Sequence, residues 1–132
     1  MNYDTSFMID YARELKRDRV GAATHFLQKH FSQPKRFSVI ARIEFLEGFP
    51  DTAEGLKLLS LFDTVLVDPG IAERAAEVRR RLRFQGRPIG DFDVVIAATA
   101  LTLQEPLVTR NRRHFERIEG LTVLDYSNSP AG

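Results

Sequence analysis

Apolar positions recur at helical spacing in some stretches of the chain and as short unbroken runs in others. Phe7, Met8, Tyr11 and Leu15 repeat with helical period after Asp4-Thr5-Ser6, a helix-start signal. A first helix is therefore expected behind a very short strand at Met1–Asp4. Lys16-Arg17-Asp18-Arg19 is a polar break. Val20–Phe31 then reads as a second helix with Phe26, Leu27 and Phe31 on one side, closed by Pro34. Arg36–Ala41 reads as a strand, and Arg42–Gly48 as a helix with Ile43, Leu46 and then Phe49 on one face. Pro50-Asp51-Thr52 opens a helix that runs to Leu61 or Phe62. Thr64–Val67 is a strand, and Asp68 caps a helix that carries Pro69 in its first turn. Over Ile71–Phe84 that helix turns Ile71, Ala75, Val78 and Leu82 inward and its arginines outward.

Gly86–Ala100, GRPIGDFDVVIAATA, fits neither an amphipathic helix nor an alternating strand. Gly86, Pro88 and Gly90 break the preceding helix, and Val94 to Leu103 is too apolar to face water. The run reads as a helix packed inside an α/β core, with Asp91 placed to cap it. Asp93 is a second carboxylate at the edge of that interior helix, where an unpaired charge is costly, so a cation or basic group should stand nearby. Pro106–Thr109 is a strand, Asn111–Glu116 a short helical turn and Leu121–Asp125 a last strand. The stretch from Tyr126 is expected to fray. Strands alternating with helices over short connections define an α/β class, with a mostly parallel central sheet flanked by helices on both faces. One domain is expected over 1–126, followed by a flexible tail at 127–132.

Composition narrows the chemistry. At 132 residues the chain can bury a core without staples, and 43% hydrophobic with 28% charged residues is ordinary for a globular protein. It has no cysteine, which removes disulfides, thiolate metal sites and cysteine nucleophiles. His25, His30 and His114 show no zinc-ligand spacing. No apolar run approaches the ~20 residues of a membrane span, and MNYDTS is no signal peptide, so a cytoplasmic protein with no membrane role is expected. Net charge is only +1, but Arg79–Arg87 (RRRLRFQGR) and Arg110–Arg117 (RNRRHFER) concentrate the positive charge on either side of Asp91 and Asp93. Acids flanked by arginines suit a site that handles phosphodiesters, although such runs also serve as solvated helix faces.

Ligands of open parallel sheets bind at the carboxyl ends of strands, near a switch in strand order. Asp4 ends the first expected strand, Glu44 lies just beyond the second in the first turn of its helix, and Asn111 follows the fourth. Asp93 opens the helix that leads into that fourth strand, and Thr5 and Ser6 add hydroxyls beside Asp4. Hard oxygen ligands gathered this way suit Mg²⁺ or Mn²⁺, and crowded carboxylates need a cation. Taken singly, Asp4 and Asp91 are also good caps and Glu44 a good early-helix acid. Glu47 reads as solvated, and Asp10, Asp63 and Asp125 as surface residues or caps.

At these residues the chain resembles the PIN-domain nucleases, specifically the VapC-type toxins of toxin–antitoxin pairs. The resemblance is carried by YDTSFMID at 3–10, FSVIARIEFLEG at 37–48, GRPIGDFDVVIAATA at 86–100 and PLVTRNRRHFERIEGLTVLDY at 106–126. It implies a PIN-like domain, metal-dependent endoribonuclease activity, an RNA substrate, a cognate antitoxin protein and a homodimer. The family's acidic positions fall on Asp4, Glu44 and Asp93, and a further acidic or amide position on Asn111, a neutral amide where many PIN domains carry aspartate. Asp91 is an additional candidate metal ligand. Thr5, Ser6, Thr109, Arg110 and Arg112 are candidate substrate-binding residues, with Mg²⁺ or Mn²⁺ as the implied cofactor.

Two other classes compete. A receiver-type phosphoacceptor would use Asp68, Thr109 and Asp4, but Pro69 follows Asp68 and no lysine occurs after residue 57. A non-catalytic PIN-like binding module would use Phe45, Phe49, Leu58 and Leu61 as a groove for a partner helix.

Overall fold

Five short strands, β1 (Asn2–Tyr3), β2 (Arg36–Ser38), β3 (Asp63–Val65), β4 (Leu107–Thr109) and β5 (Val123–Asp125), form one sheet in the computed structural model, which describes residues 1–128. Their order is β3-β2-β1-β4-β5 and every pairing is parallel. Parallel neighbours need crossovers, and α1 (Thr5–Lys16), α2 (Ala22–Lys29), α3 (Val39–Gly48), α4 (Thr52–Leu59), α5 (Pro69–Phe84), α6 (Asp91–Leu103) and α7 (Arg112–Phe115) supply them. The chain steps outward from β1 to β3, then crosses back and steps the other way through β4 and β5. Right-handed crossovers then cover opposite faces of the sheet in the two halves. The switch falls between β1 and β4, which pair Asn2 with Leu107 and Tyr3 with Val108.

The core has two parts. Tyr3 meets Phe7 and Phe62 at ring-centroid distances of 4.7 and 5.2 Å, and Phe7 meets Tyr126 at 5.0 Å, all edge-on. Such pairs add to the burial of large rings. The second part joins α5 and α6 through Ile71, Ala75, Val94 and Ala98. The alanines of α6 let its partner approach closely. Its threonines return their hydroxyls to their own helix, Thr99 to the Val95 carbonyl and Thr102 to the Ala98 carbonyl, both at 2.8 Å. The interior helix expected from the apolar run is therefore present, with Val94 and residues 96–100 buried.

Several boundaries move for local reasons. β2 stops at Ser38 rather than Ala41, because the Ser38 side chain accepts the Ile40 amide (3.2 Å) and starts α3 at Val39. Glu44 consequently sits in the second turn of its helix, not the first. The buried face of α3 is Ala41 and Phe45, and Ile43 points to solvent. Phe31 lies beyond the end of α2 and is exposed, as is Leu15 at the far end of α1, so neither joins the core. β3 ends at Val65, and α4 stops at Leu59. Gly90, not Asp91, is the N-cap of α6. Tyr126 does not fray: it is buried in a 3-10 turn, Tyr126–Asn128. Residues 129–132 of the expected tail lie outside the described residues.

Candidate active site

A cleft of about 770 Å³ opens at the carboxyl ends of β1 and β4, the position that the strand-order switch favours. Asp4, Glu44, Asp93 and Asn111 all line it, as do Thr5, Ser6, Arg110 and Arg112.

Asp4 follows β1 directly and caps α1, accepting the Phe7 amide at 3.2 Å. It is also buried, and the fold surrounds it with donors. Ser6 Oγ donates to its Oδ1 and Thr109 Oγ1 to its Oδ2, each at 2.5 Å. Burial pushes the Asp4 carboxyl up to about 6, with the Asp93 charge adding to the rise and the three donors opposing it. Thr109 in turn accepts the Asn111 amide (2.9 Å), so β4 delivers both residues to Asp4. Thr109 and Ser6 are themselves buried. Their hydroxyls hold Asp4 in place; Ser6 also lines the cleft, and Thr109 does not.

Glu44 Oε1 accepts the Thr5 hydroxyl at 2.8 Å, and its Oε2 makes no bond among the described residues. Its carboxyl is raised by burial first, then by the Asp93 and Glu47 charges, against the Thr5 hydrogen bond. Asp93 stands in the first turn of α6, a position that the helix dipole favours. Its Oδ2 lies 3.3 Å from His114 Nδ1. Burial raises the Asp93 carboxyl and His114 pulls it back. Asn111 begins α7 without a side-chain cap bond.

The donor set is all oxygen; burial raises each of its three carboxyls and the Asp93 charge adds to the rise of Asp4 and Glu44, so a bound cation would relieve them. Among the described residues, no three acidic or histidine side chains form a ready-made direct cage. A hard ion held by Asp4, Glu44 and Asp93 would therefore reach some of these carboxylates through water. Asp91 is not part of the cleft: it is solvent-exposed and pairs with Arg79 (3.0 Å) across α5 and α6.

Residues not foreseen complete the rim. Asp10, expected at the surface, binds Arg110 Nη1 at 2.5 Å through Oδ1. The Tyr126 hydroxyl shares its proton between Asp10 Oδ2 (2.5 Å) and the Ser6 carbonyl (2.9 Å). The signal for Asp10 was its spacing of four from Ser6, which puts both on one face of α1. His114 and Asp125 also line the cleft, beside Arg113 of the expected arginine run. Asp125 additionally caps the terminal turn through Ser127 N (3.0 Å). Arg112 pairs with Glu116 at 3.4 Å on the exposed side of α7.

The receiver reading is excluded by topology, since that fold orders its strands 2-1-3-4-5. Asp68 is a cap, accepting the Ile71 amide at 2.8 Å. Of the four residues expected to form a docking groove, Phe45 and Phe49 line one of about 300 Å³ that reaches Glu44. Leu58 and Leu61 do not.

The PIN domain family profile matches residues 3–121. Ribonuclease VapC1 of Methanocaldococcus jannaschii is 31% identical over 127 residues, 92% of this chain and 85% of that protein. A tRNA(fMet)-specific endonuclease VapC of Shigella flexneri is 39% identical over 69 residues, and the chain spans about half the length of that relative. Among solved structures, VapBC-1 of nontypeable Haemophilus influenzae superposes with a TM-score of 0.75 at 25% identity, covering 97% of this chain and 100% of that one. The chain belongs to the PIN-domain family, among its VapC-type members.

Proposed function

We propose that this protein is a divalent-metal-dependent endoribonuclease, the toxin of a toxin–antitoxin pair. The observation that carries the reading is the convergence of Asp4, Glu44 and Asp93 on one arginine-rimmed cleft at the sheet's switch point. Asp4, Glu44 and Asp93 would hold Mg²⁺ or Mn²⁺, with Asn111 as an amide donor. When bound, the ion supplies an acidified water and offsets charge on the departing oxygen of the phosphodiester. The chain's own groups do the positioning. Ser6 and Thr109 hold both Asp4 oxygens, Thr5 aims Glu44, and His114 steadies Asp93. Arg110, fixed by Asp10, and Arg112 and Arg113 on α7 bind RNA phosphates.

The names of the relatives support RNA as substrate, and a tRNA is the first class to test. The groove beside Glu44, lined by Ile9, Ala12, Phe45 and Phe49, supports an antitoxin partner with an apolar segment that ends at the cleft. A cytoplasmic homodimer is the assembly that the resemblance favours. No described helix is long and apolar enough to cross a membrane. Purified protein given a pool of structured RNAs that includes tRNA should cut it with Mg²⁺ or Mn²⁺ and not with EDTA. Asp93→Asn should abolish cutting while leaving the thermal melt in place. Unchanged cutting by Asp93→Asn would remove that residue from the site. Metal binding without cutting of any RNA would turn the protein into a binding module.

A further inference from the structure

We infer that the end of α5, with Phe84 at its tip, is a stacking platform for an unpaired base of single-stranded RNA running to the cleft. The inference rests on the ribonuclease reading and adds to it a surface outside the acidic site. Phe84 is the last residue of α5 and is 92% exposed, the most exposed of the large hydrophobic residues. A ring that bare contributes nothing to the core. Its surroundings are basic: residues 79–90 contain five arginines and no acid. Arg79 is paired to Asp91 and Arg81 to Glu119. Among the described residues Arg80, Arg83 and Arg87 form no ion pair, so their charge is uncompensated beside the ring.

That combination distinguishes between partners. The centre of a protein interface is depleted of charge and gathers several apolar side chains. In the same stretch the other large apolar residues are Leu82, buried in the core, and Ile89, partly buried against it. A lone aromatic face among free arginines is instead what single-stranded nucleic acid uses, with a base on the ring and phosphates on the guanidinium groups. The platform also lies on the way to the acids. Arg79 Nε reaches Asp91 Oδ1 at 3.0 Å, and Leu82, Arg83, Ile89 and Val94 line a small cavity that joins the end of α5 to the start of α6. From Asp91 to Asp93 is two residues, about 3 Å along the helix axis. Phe92, between them in sequence, is a second exposed ring.

Anisotropy of a labelled oligo(A) of about 12 nucleotides, titrated with the full chain in EDTA, tests the platform without turnover. Phe84→Ala should bind it roughly 5- to 100-fold more weakly, and Phe84→Trp should bind like wild type. An RNA duplex of the same length, with its bases already stacked, should bind both alike. Since Phe84 is almost fully exposed, a matched melting curve confirms that the variant is folded. Equal affinity of Phe84→Ala and wild type for oligo(A) would overturn the platform. So would a sedimentation shift from dimer to monomer in Phe84→Ala, which would assign the ring to a second copy of the chain. Wild type that binds oligo(A) through Phe84 yet cuts no RNA with Mg²⁺ would remove the nuclease reading and leave the platform standing.

Discussion

Asp4 is the residue on which burial and charge conflict most directly. Burial, with the Asp93 charge adding a little, lifts its carboxyl to about 6 although three donors hold it. A carboxyl with a folded-state pKa above its unfolded value of about 4 carries more protons when folded. Its stabilising contribution is therefore fully present below about pH 4 and is lost as pH rises through 6. At about 1.4 kcal/mol per pH unit, the loss in metal-free protein is on the order of 3 kcal/mol. Asp4→Asn keeps the cap on Phe7 and cannot ionise. The melting temperature of Asp4→Asn minus that of wild type, measured in EDTA, should climb between pH 4 and 7. Mg²⁺ should then raise wild type more than the variant. A difference that stays flat across that range would show that Asp4 does not titrate in the folded protein.

At the level of elements, α1 does more than cover the sheet, because it carries Thr5, Ser6 and Asp10 to three different tasks at the cleft. The terminal turn locks the last of these through Tyr126. Tyr126→Phe removes a buried hydroxyl and leaves Asp10 one donor short, which should cost about 1 kcal/mol of stability in denaturant unfolding. Since Asp10 acts by fixing Arg110, the variant should raise KM for RNA several-fold and leave kcat near wild type. A fall in kcat alone would mean that the turn supports the acids instead. This lock was not visible in the sequence: Tyr126 follows the last strand among serines and reads as the start of a tail, and its partners are 116 and 120 residues away. What could be read was local or periodic. The apolar run of α6, the Asp68 cap with Pro69, and the acids just past strand ends all needed only near neighbours in sequence. The early start of α3 at Ser38 was a capping signal outweighed by the β-branched run that follows it. The capping of α2 by Glu14, which accepts the amides of Gly21, Ala23 and Thr24 at 2.8–3.1 Å, comes from another helix and left no local trace.

At the scale of the whole molecule, the balance of charge conceals its arrangement. A net charge of +1 gives little long-range pull on a polyanion, yet the sheet's switch point draws Arg110, Arg112 and Arg113 to one rim, and α5 with the connection after it adds Arg80, Arg83 and Arg87. Of these six, Arg110 pairs with Asp10 and Arg112 with Glu116, and other acids are spent elsewhere: Glu105 binds Arg36, Glu14 caps a helix, and Asp51 and Asp68 cap two more. Binding of RNA should therefore depend on salt as a basic protein's would. Each phosphate neutralised on a single strand contributes a slope of about −0.7 in log affinity against log salt. Three or four such contacts predict a slope of roughly −2 to −3, so raising NaCl from about 50 to about 200 mM should weaken oligo(A) binding on the order of 20- to 60-fold. Replacing Arg83 and Arg87 together by glutamine should flatten the slope by about 1 to 1.5 without altering the melting temperature, since both side chains are exposed and unpaired. A slope near zero in wild type would mean that the net charge, not its placement, governs the encounter, and that the arginines are a solvated surface.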